Sequence, residues 1–96
     1  MLPETPNGAI SGDPLALGLA ALAATLADQR RAQRFLDLTG IGTDELRRRA
    51  AEPGLLAAVI RFLEAHEPDL LAVAKQLGAR PEQLVQARRQ LEGGAE

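Results

Sequence analysis

The stretch DPLALGLAALAATLA, residues 13–27, decides how the chain folds. Asp13 followed by Pro14 is a helix start: the carboxylate accepts from unpaired backbone amides, and proline at the first helical position gives up a donor that had no partner. The apolar run from Pro14 to Ala27 has 14 residues, too short for a bilayer of roughly 30 Å, which needs about 20. It reads as a buried helix. Leu15, Leu19, Leu22 and Leu26 fall at i, i+4, i+7 and i+11 and form one stripe, expected to face the core. Leu17 lies off that stripe among small alanines. The helix is therefore expected to be covered on more than one side, by the rest of the domain or by a second subunit, and Leu17 is the candidate interaction residue.

Working outward, the composition supports the same reading. A chain of 96 residues fits one domain and buries roughly 60 to 65% of its unfolded surface. Hydrophobic residues make up 46% of it but aromatic ones only 2%, Phe35 and Phe62, so the core must be aliphatic, which favours helix. The absence of cysteine excludes disulfides, thiolate nucleophiles and thiolate zinc sites, and suits a reducing cytoplasm, the expected location. Residues 1–13 are rich in Pro and Gly and carry no basic residue. They lack the charged start of a secretory signal and are expected to form a flexible leader.

The remaining helices follow from caps and breakers. Asp28 is the next cap, with Ala32, Phe35 and Leu36 as an apolar face and Arg30, Arg31 and Arg34 directed elsewhere. Gly40 stops that helix, and Thr43 caps a short third one anchored by Leu46 and Ala50, with Asp44 and Glu45 in its first turn. After Pro53 and Gly54 a fourth helix, about Leu55 to His66, buries Leu56, Val59, Ile60 and Leu63 with Phe62 at its flank. Pro68 opens a fifth, lined by Leu70, Leu71, Ala74 and Leu77 and stopped by Gly78. Pro81 starts a sixth, whose Leu84 and Leu91 face inward, and Gly93 and Gly94 end it. The expected fold is all-α, a compact orthogonal bundle of five or six short helices over residues 14–92, with a flexible tail at 93–96.

The net charge is −2, from 11 basic and 13 acidic residues, so the whole chain is not biased toward nucleic acid or an anionic membrane. Charge is nevertheless blocked: six arginines against three carboxylates over residues 29–50, one against four over 51–74, four basic residues against Glu82 over 75–91. Pairing between blocks is the default expectation.

Two segments resemble nucleic-acid motifs. FLDLTGIGTDELRRRA, residues 35–50, resembles a helix-hairpin-helix, with Gly40, Ile41 and Gly42 as the hairpin that leaves amides free for a phosphate. Asp44 and Glu45 then stand where they compete with phosphate, Leu46 is large for a close helix crossing, and Arg47, Arg48 and Arg49 spread around the helix at about 100° per residue. The local reading is a glycine stop, a tucked isoleucine and a threonine cap. LLAVAKQLGARPEQLVQARRQL, residues 70–91, resembles a helix-turn-helix, with Ala74 at the close contact, Gly78 in the turn and Leu77, Leu84 and Ala87 inside. That resemblance makes Pro81–Leu91 the recognition helix, with Arg80, Gln83, Gln86, Arg88 and Arg89 as candidate contacts beside Glu82.

Catalysis needs a positioned proton carrier, nucleophile or metal. The chain offers His66 as its one histidine, no cysteine, no tyrosine and Ser11 as its one serine. His66, Glu67 and Asp69 lack the i, i+4 histidine pair of helical zinc sites, and His66 reads as an ordinary helix-end residue whose cation suits the negative pole. No catalytic, metal or cofactor-binding residue is expected.

The succession of FLDLTGIGTDELRRRA, PGLLAAVIRFLEAHEPDLLAVAKQLG and PEQLVQARRQL resembles a family of small bacterial proteins, found mainly in proteobacteria, that constitutes a domain of unknown function. The resemblance covers about Leu15 to Leu91, and its markers are the LTGIG turn, the arginine-bearing helix and the apolar helix before Pro68. It implies a standalone cytoplasmic helical protein and carries over no functional residue. The expected function is a non-enzymatic interaction module that binds a protein partner or itself, with no cofactor, membrane or small-molecule substrate. DNA binding through Pro81–Leu91 is the alternative.

Overall fold

Six α-helices and no strand occupy the residues described by the computed structural model, 13–93. They are α1 (Pro14–Ala27), α2 (Gln29–Thr39), α3 (Thr43–Arg48), α4 (Pro53–Glu64), α5 (Glu67–Leu77) and α6 (Pro81–Gly93). The caps act as their chemistry dictates. Asp13 Oδ1 accepts from the Leu15 amide at 3.0 Å. Asp28 ends α1 in an extended conformation and accepts from the Arg31 amide at 3.0 Å, so one residue closes a helix and opens the next. Gly40 (φ 72°) and Gly78 (φ 70°) stop α2 and α5 in the left-handed region that side chains avoid.

Thr43 does not cap α3. It is already the first helical residue, behind Gly42, and α3 has no side-chain cap. The neighbouring threonine is the one that acts here: Thr39 donates its hydroxyl to the Phe35 carbonyl at 2.8 Å and accepts from the Ile41 amide at 3.3 Å. The α4–α5 junction also shifts. Proline tolerates the first turn of a helix, so α4 begins at Pro53 itself, and Pro68 lies inside the first turn of α5 with His66 at the N-cap position.

The core lies where α1, α4 and α6 meet, with α5 packed on α1 and α4, and α2 laid on α1. Its largest fully buried side chains include Phe35, Leu17, Leu55, Leu56, Ile60, Leu63 and Leu84. It is aliphatic apart from an edge-to-face pair, Phe35 and Phe62, with centroids 5.3 Å apart.

Three faces differ from the sequence expectation. On α1 the leucine stripe is mostly outside and Leu17, 1% exposed, is inside. The cause is size: Gly18, Ala21, Ala24 and Thr25 are buried with Leu17, and this thin side of the helix lets α4 and α6 come close. A Cβ on Gly18 would stand 3.0 Å from Leu56 Cβ and 3.2 Å from Leu91 Cδ1. Thr25 can be buried because its hydroxyl donates to the Ala21 carbonyl at 2.8 Å. On α5 the inward residues are Val73 and Ala74, while Leu71 is exposed. On α2, Arg31 points inward with Phe35, one turn along the same face. Its guanidinium satisfies the Ala24 carbonyl at 3.1 Å and reaches Asp69 on α5.

The expected leader and tail, with Ser11 and Gly94, lie outside the described residues. Asp13, at the edge of the leader, is the cap of α1 as its chemistry predicts, and Gly93, placed in the tail, is the last residue of α6.

Candidate functional site

Because the small residues of α1 face inward together with Leu17 and Leu22, its other three leucines are left on the flank and the outside. Leu15, Leu19 and Leu26 are 40%, 41% and 40% exposed, and no ionisable side chain interrupts the helix between Asp13 and Asp28. Near its C-terminal end the row meets a groove of about 300 Å³ whose walls include Leu22, Leu26, Leu36, Leu46 and Ala50. At the other end Leu15 borders a wider groove of about 760 Å³ formed with Ala57, Ala58 and Leu91. Leu15, Leu19 and Leu26 thus lie along one side of α1 with a groove at each end, the wider one edged by Asp13, Arg61 and Glu92. Leu17, the residue singled out from sequence, is not on it. The signal that marks the true outer face is the run of small residues at 18, 21, 24 and 25, which identifies the side of closest approach.

The candidate nucleic-acid helix is only partly free. Ala74, Leu84 and Ala87 are buried and Gly78 makes the turn, as the helix-turn-helix resemblance implies. Arg88, however, donates to Glu64 through Nε at 2.7 Å and Nη2 at 3.1 Å, and to Glu92 through Nη1 at 3.0 Å. Glu64 first and Glu92 second raise the Arg88 guanidinium above its usual range and fix it between α4 and α6. Gln83 accepts from the Arg80 amide at 2.7 Å through its side-chain oxygen, closing the start of α6. Gln86 and Arg89 are exposed and share a shallow depression with Glu82, while Arg80 is exposed at the helix start. The structure thus leaves Arg80, Gln86 and Arg89 open to solvent and engages Arg88 and Gln83 internally. Of the three arginines after the glycine hairpin, Arg49 is engaged with Glu45 at 3.1 Å and Glu52 at 2.8 Å, Arg47 makes an exposed contact with Asp44 at 3.8 Å, and Arg48 is exposed.

Glu92 also pairs with Arg61. The Arg61 hydrogen bond first, then the Arg88 bond, hold its carboxyl below the ordinary carboxylate range. A carboxyl lowered in the folded state stabilises it above the unfolded pKa, and the contribution is lost as pH falls through the folded value. Wild-type protein is therefore expected to lose stability on acidification through and below about pH 4.5. Glu92→Gln is expected to lose less between about pH 6 and about pH 3, read as the shift in urea midpoint; equal shifts would count against the pairing.

His66 and Asp69 do not make a metal centre. His66 Nδ1 lies 4.0 Å from Asp69 Oδ2, and that carboxylate already accepts from Arg31 and Arg34. No group of three or more His, Cys, Asp or Glu residues able to hold a metal occurs among the described residues. His66 is not at a helix's negative pole alone: its amide donates to the Leu63 carbonyl of α4 while its carbonyl accepts from Asp69 and Leu70 of α5.

A family model described as a protein of unknown function (DUF3572) matches residues 12–94. No curated protein and no solved structure matches the chain. Among the described residues, no helix is long and apolar enough to cross a membrane.

Proposed function

The chain belongs to the DUF3572 family of proteins of unknown function, and from that premise we propose that it is a non-enzymatic interaction module whose outward α1 face receives the apolar face of a helix from another protein chain. The carrying observation is the uncharged row Leu15, Leu19 and Leu26, left in water while Leu17 fills the core. Apolar area in water costs about 25 cal/mol per Å², and a contiguous apolar track rimmed by polar residues is what a partner covers. The shortage of reactive groups, with Asp69 occupied by two arginines and His66 its weak third neighbour, supports a binding role over a catalytic one. The lack of cysteine suits work in the cytoplasm.

The test is a triple replacement, Leu15→Gln, Leu19→Gln and Leu26→Gln. Leucine and glutamine have similar helix propensities, so if the row serves binding, the folded domain is expected to lose no more than about 0.5 kcal/mol per replacement, as surface changes do. A loss of about 2 kcal/mol or more in urea unfolding would show that these leucines belong to the fold of the chain itself, and the proposal would fail.

A second reading, contact with DNA through α6, draws on the Gly78 turn and the open side chains of Arg80, Gln86 and Arg89. It is weaker because Arg88 and Gln83 are engaged and Glu82 shares the face. Failure to bind any duplex at low salt would remove it.

A further inference from the structure

Every ion pair made by α3 stays within its own neighbourhood: Asp44 with Arg47, Glu45 with Arg49, and Arg49 with Glu52 just beyond the helix. The other surface elements are cross-tied. Arg31 and Arg34 of α2 hold Asp69 of α5, and Arg88 of α6 holds Glu64 of α4. What joins α3 to the body is hydrophobic contact, through buried Leu46 and the partly buried Ile41 and Ala50, with one hydrogen bond at each end of the segment, from the Ile41 amide to the Thr39 hydroxyl and from the Leu56 amide to the Glu52 carbonyl. The helix has 6 residues and no side-chain cap, and follows left-handed Gly40 and extended Gly42. Its Thr43, Leu46 and Arg47 form one wall of the groove of about 300 Å³, and Leu22, Leu26 and Leu36 form the other.

We infer that α3 is a lid: residues 41–52 open as one cooperative unit, giving up the helical hydrogen bonds of α3, while the other helices stay packed, uncovering Leu22 and Leu36. This rests on the reading of α1 as a docking face, since opening would add Leu22 and Leu36 to the apolar surface that the partner's helix meets. Short segments with few buried apolar contacts open at lower free energy than the core. Among the described residues, no ion pair between α3 and α1, α2, α5 or α6 has to break.

Native-state hydrogen exchange of the full chain tests the lid without a partner. The Leu46 and Arg49 amides donate within the segment, to the Gly42 and Glu45 carbonyls, and the Leu56 amide on α4 donates to Glu52. Lid opening is expected to make Leu46 and Arg49 exchange at least about tenfold faster than the slowest amides of α4 and α6, with a shallower dependence on denaturant. Leu46→Ala is expected to speed exchange in residues 43–49 further and leave the slowest amides of α4 and α6 in place relative to one another. Exchange of Leu46 only through global unfolding, or a Leu46→Ala effect spread equally over all helices, would overturn the lid. Because the measurement is made on the isolated chain, it separates from failure of the docking reading, which the triple glutamine variant reports.

Discussion

Phe35→Ala is expected to destabilise the domain by about 3 to 5 kcal/mol, the range for deleting a large aromatic side chain from a packed core. Phe35 is fully buried and meets Phe62 edge to face at 5.3 Å. It is the only apolar residue of α2 that is completely inside, and α2 is laid on α1 rather than woven among the other helices. The cavity would lie under a helix that has few other anchors. Phe35→Leu, which keeps most of the volume, is expected to cost much less, about 1.5 kcal/mol. Urea unfolding followed by far-ultraviolet dichroism gives both values; a loss below about 1 kcal/mol for the alanine variant would mean that α2 is not held by its aromatic contact.

The second large effect is electrostatic. Asp69→Ala is expected to cost about 2 to 4 kcal/mol, slightly less than removal of one partner from a fully buried pair because Arg34 is 41% exposed. The loss does not come from the attraction alone. Arg31, with 11% of its side chain exposed, would keep its charge and its bond to the Ala24 carbonyl but lose the nearer of its two carboxylates, leaving Asp28 at 3.9 Å. Pairing Asp69→Leu with Arg31→Met should recover much of the stability, since an apolar pair of similar volume replaces a desolvated ionic one. If the double variant is as unstable as the sum of the singles, the Arg31–Asp69 contact is incidental to the fold. Arg34 adds a third strand to this tie, because its guanidinium also lies over the Phe62 ring, 5.3 Å from the centroid.

How much of this was legible in the sequence differs from element to element. Most helix ends were, because capping is local chemistry: Asp13, Asp28, Gly40, Gly78 and Pro81 each act within three or four residues of themselves, whereas Thr43 is not a cap and α4 and α5 start one or two residues early. The all-helical class and the aliphatic core followed from composition and period. Which face turns inward was harder. On α1 a tally of leucines chose the wrong side, since hydrophobicity ranks leucine above glycine and alanine while packing needs the thin side against α4 and α6. On α5 Ala74 is inside as expected, with Leu70 and Leu77 partly buried against the core, but Val73 takes the buried place expected for Leu71. Arg31 was unreadable because its partners are distant in the chain: nothing near residue 31 announces Asp69. The same holds for Arg88, whose neighbour in space is Glu64 and whose apparent availability to a nucleic acid ends there. Charge blocks predicted that pairing would occur, but only the fold selects which residues pair.

The order in which the helices are made has its own consequence. The surfaces that cover α1 most extensively belong to α4 and α6, and of the six helices α6 is made after all the others. With elongation at about 5 to 20 residues per second, a nascent chain carries the leucine and alanine helix for several seconds before Leu84 and Leu91 are available to it, although α4 reaches it sooner. Closure of the core therefore waits for α6, and until then part of the thin side of α1 is open to other apolar surfaces.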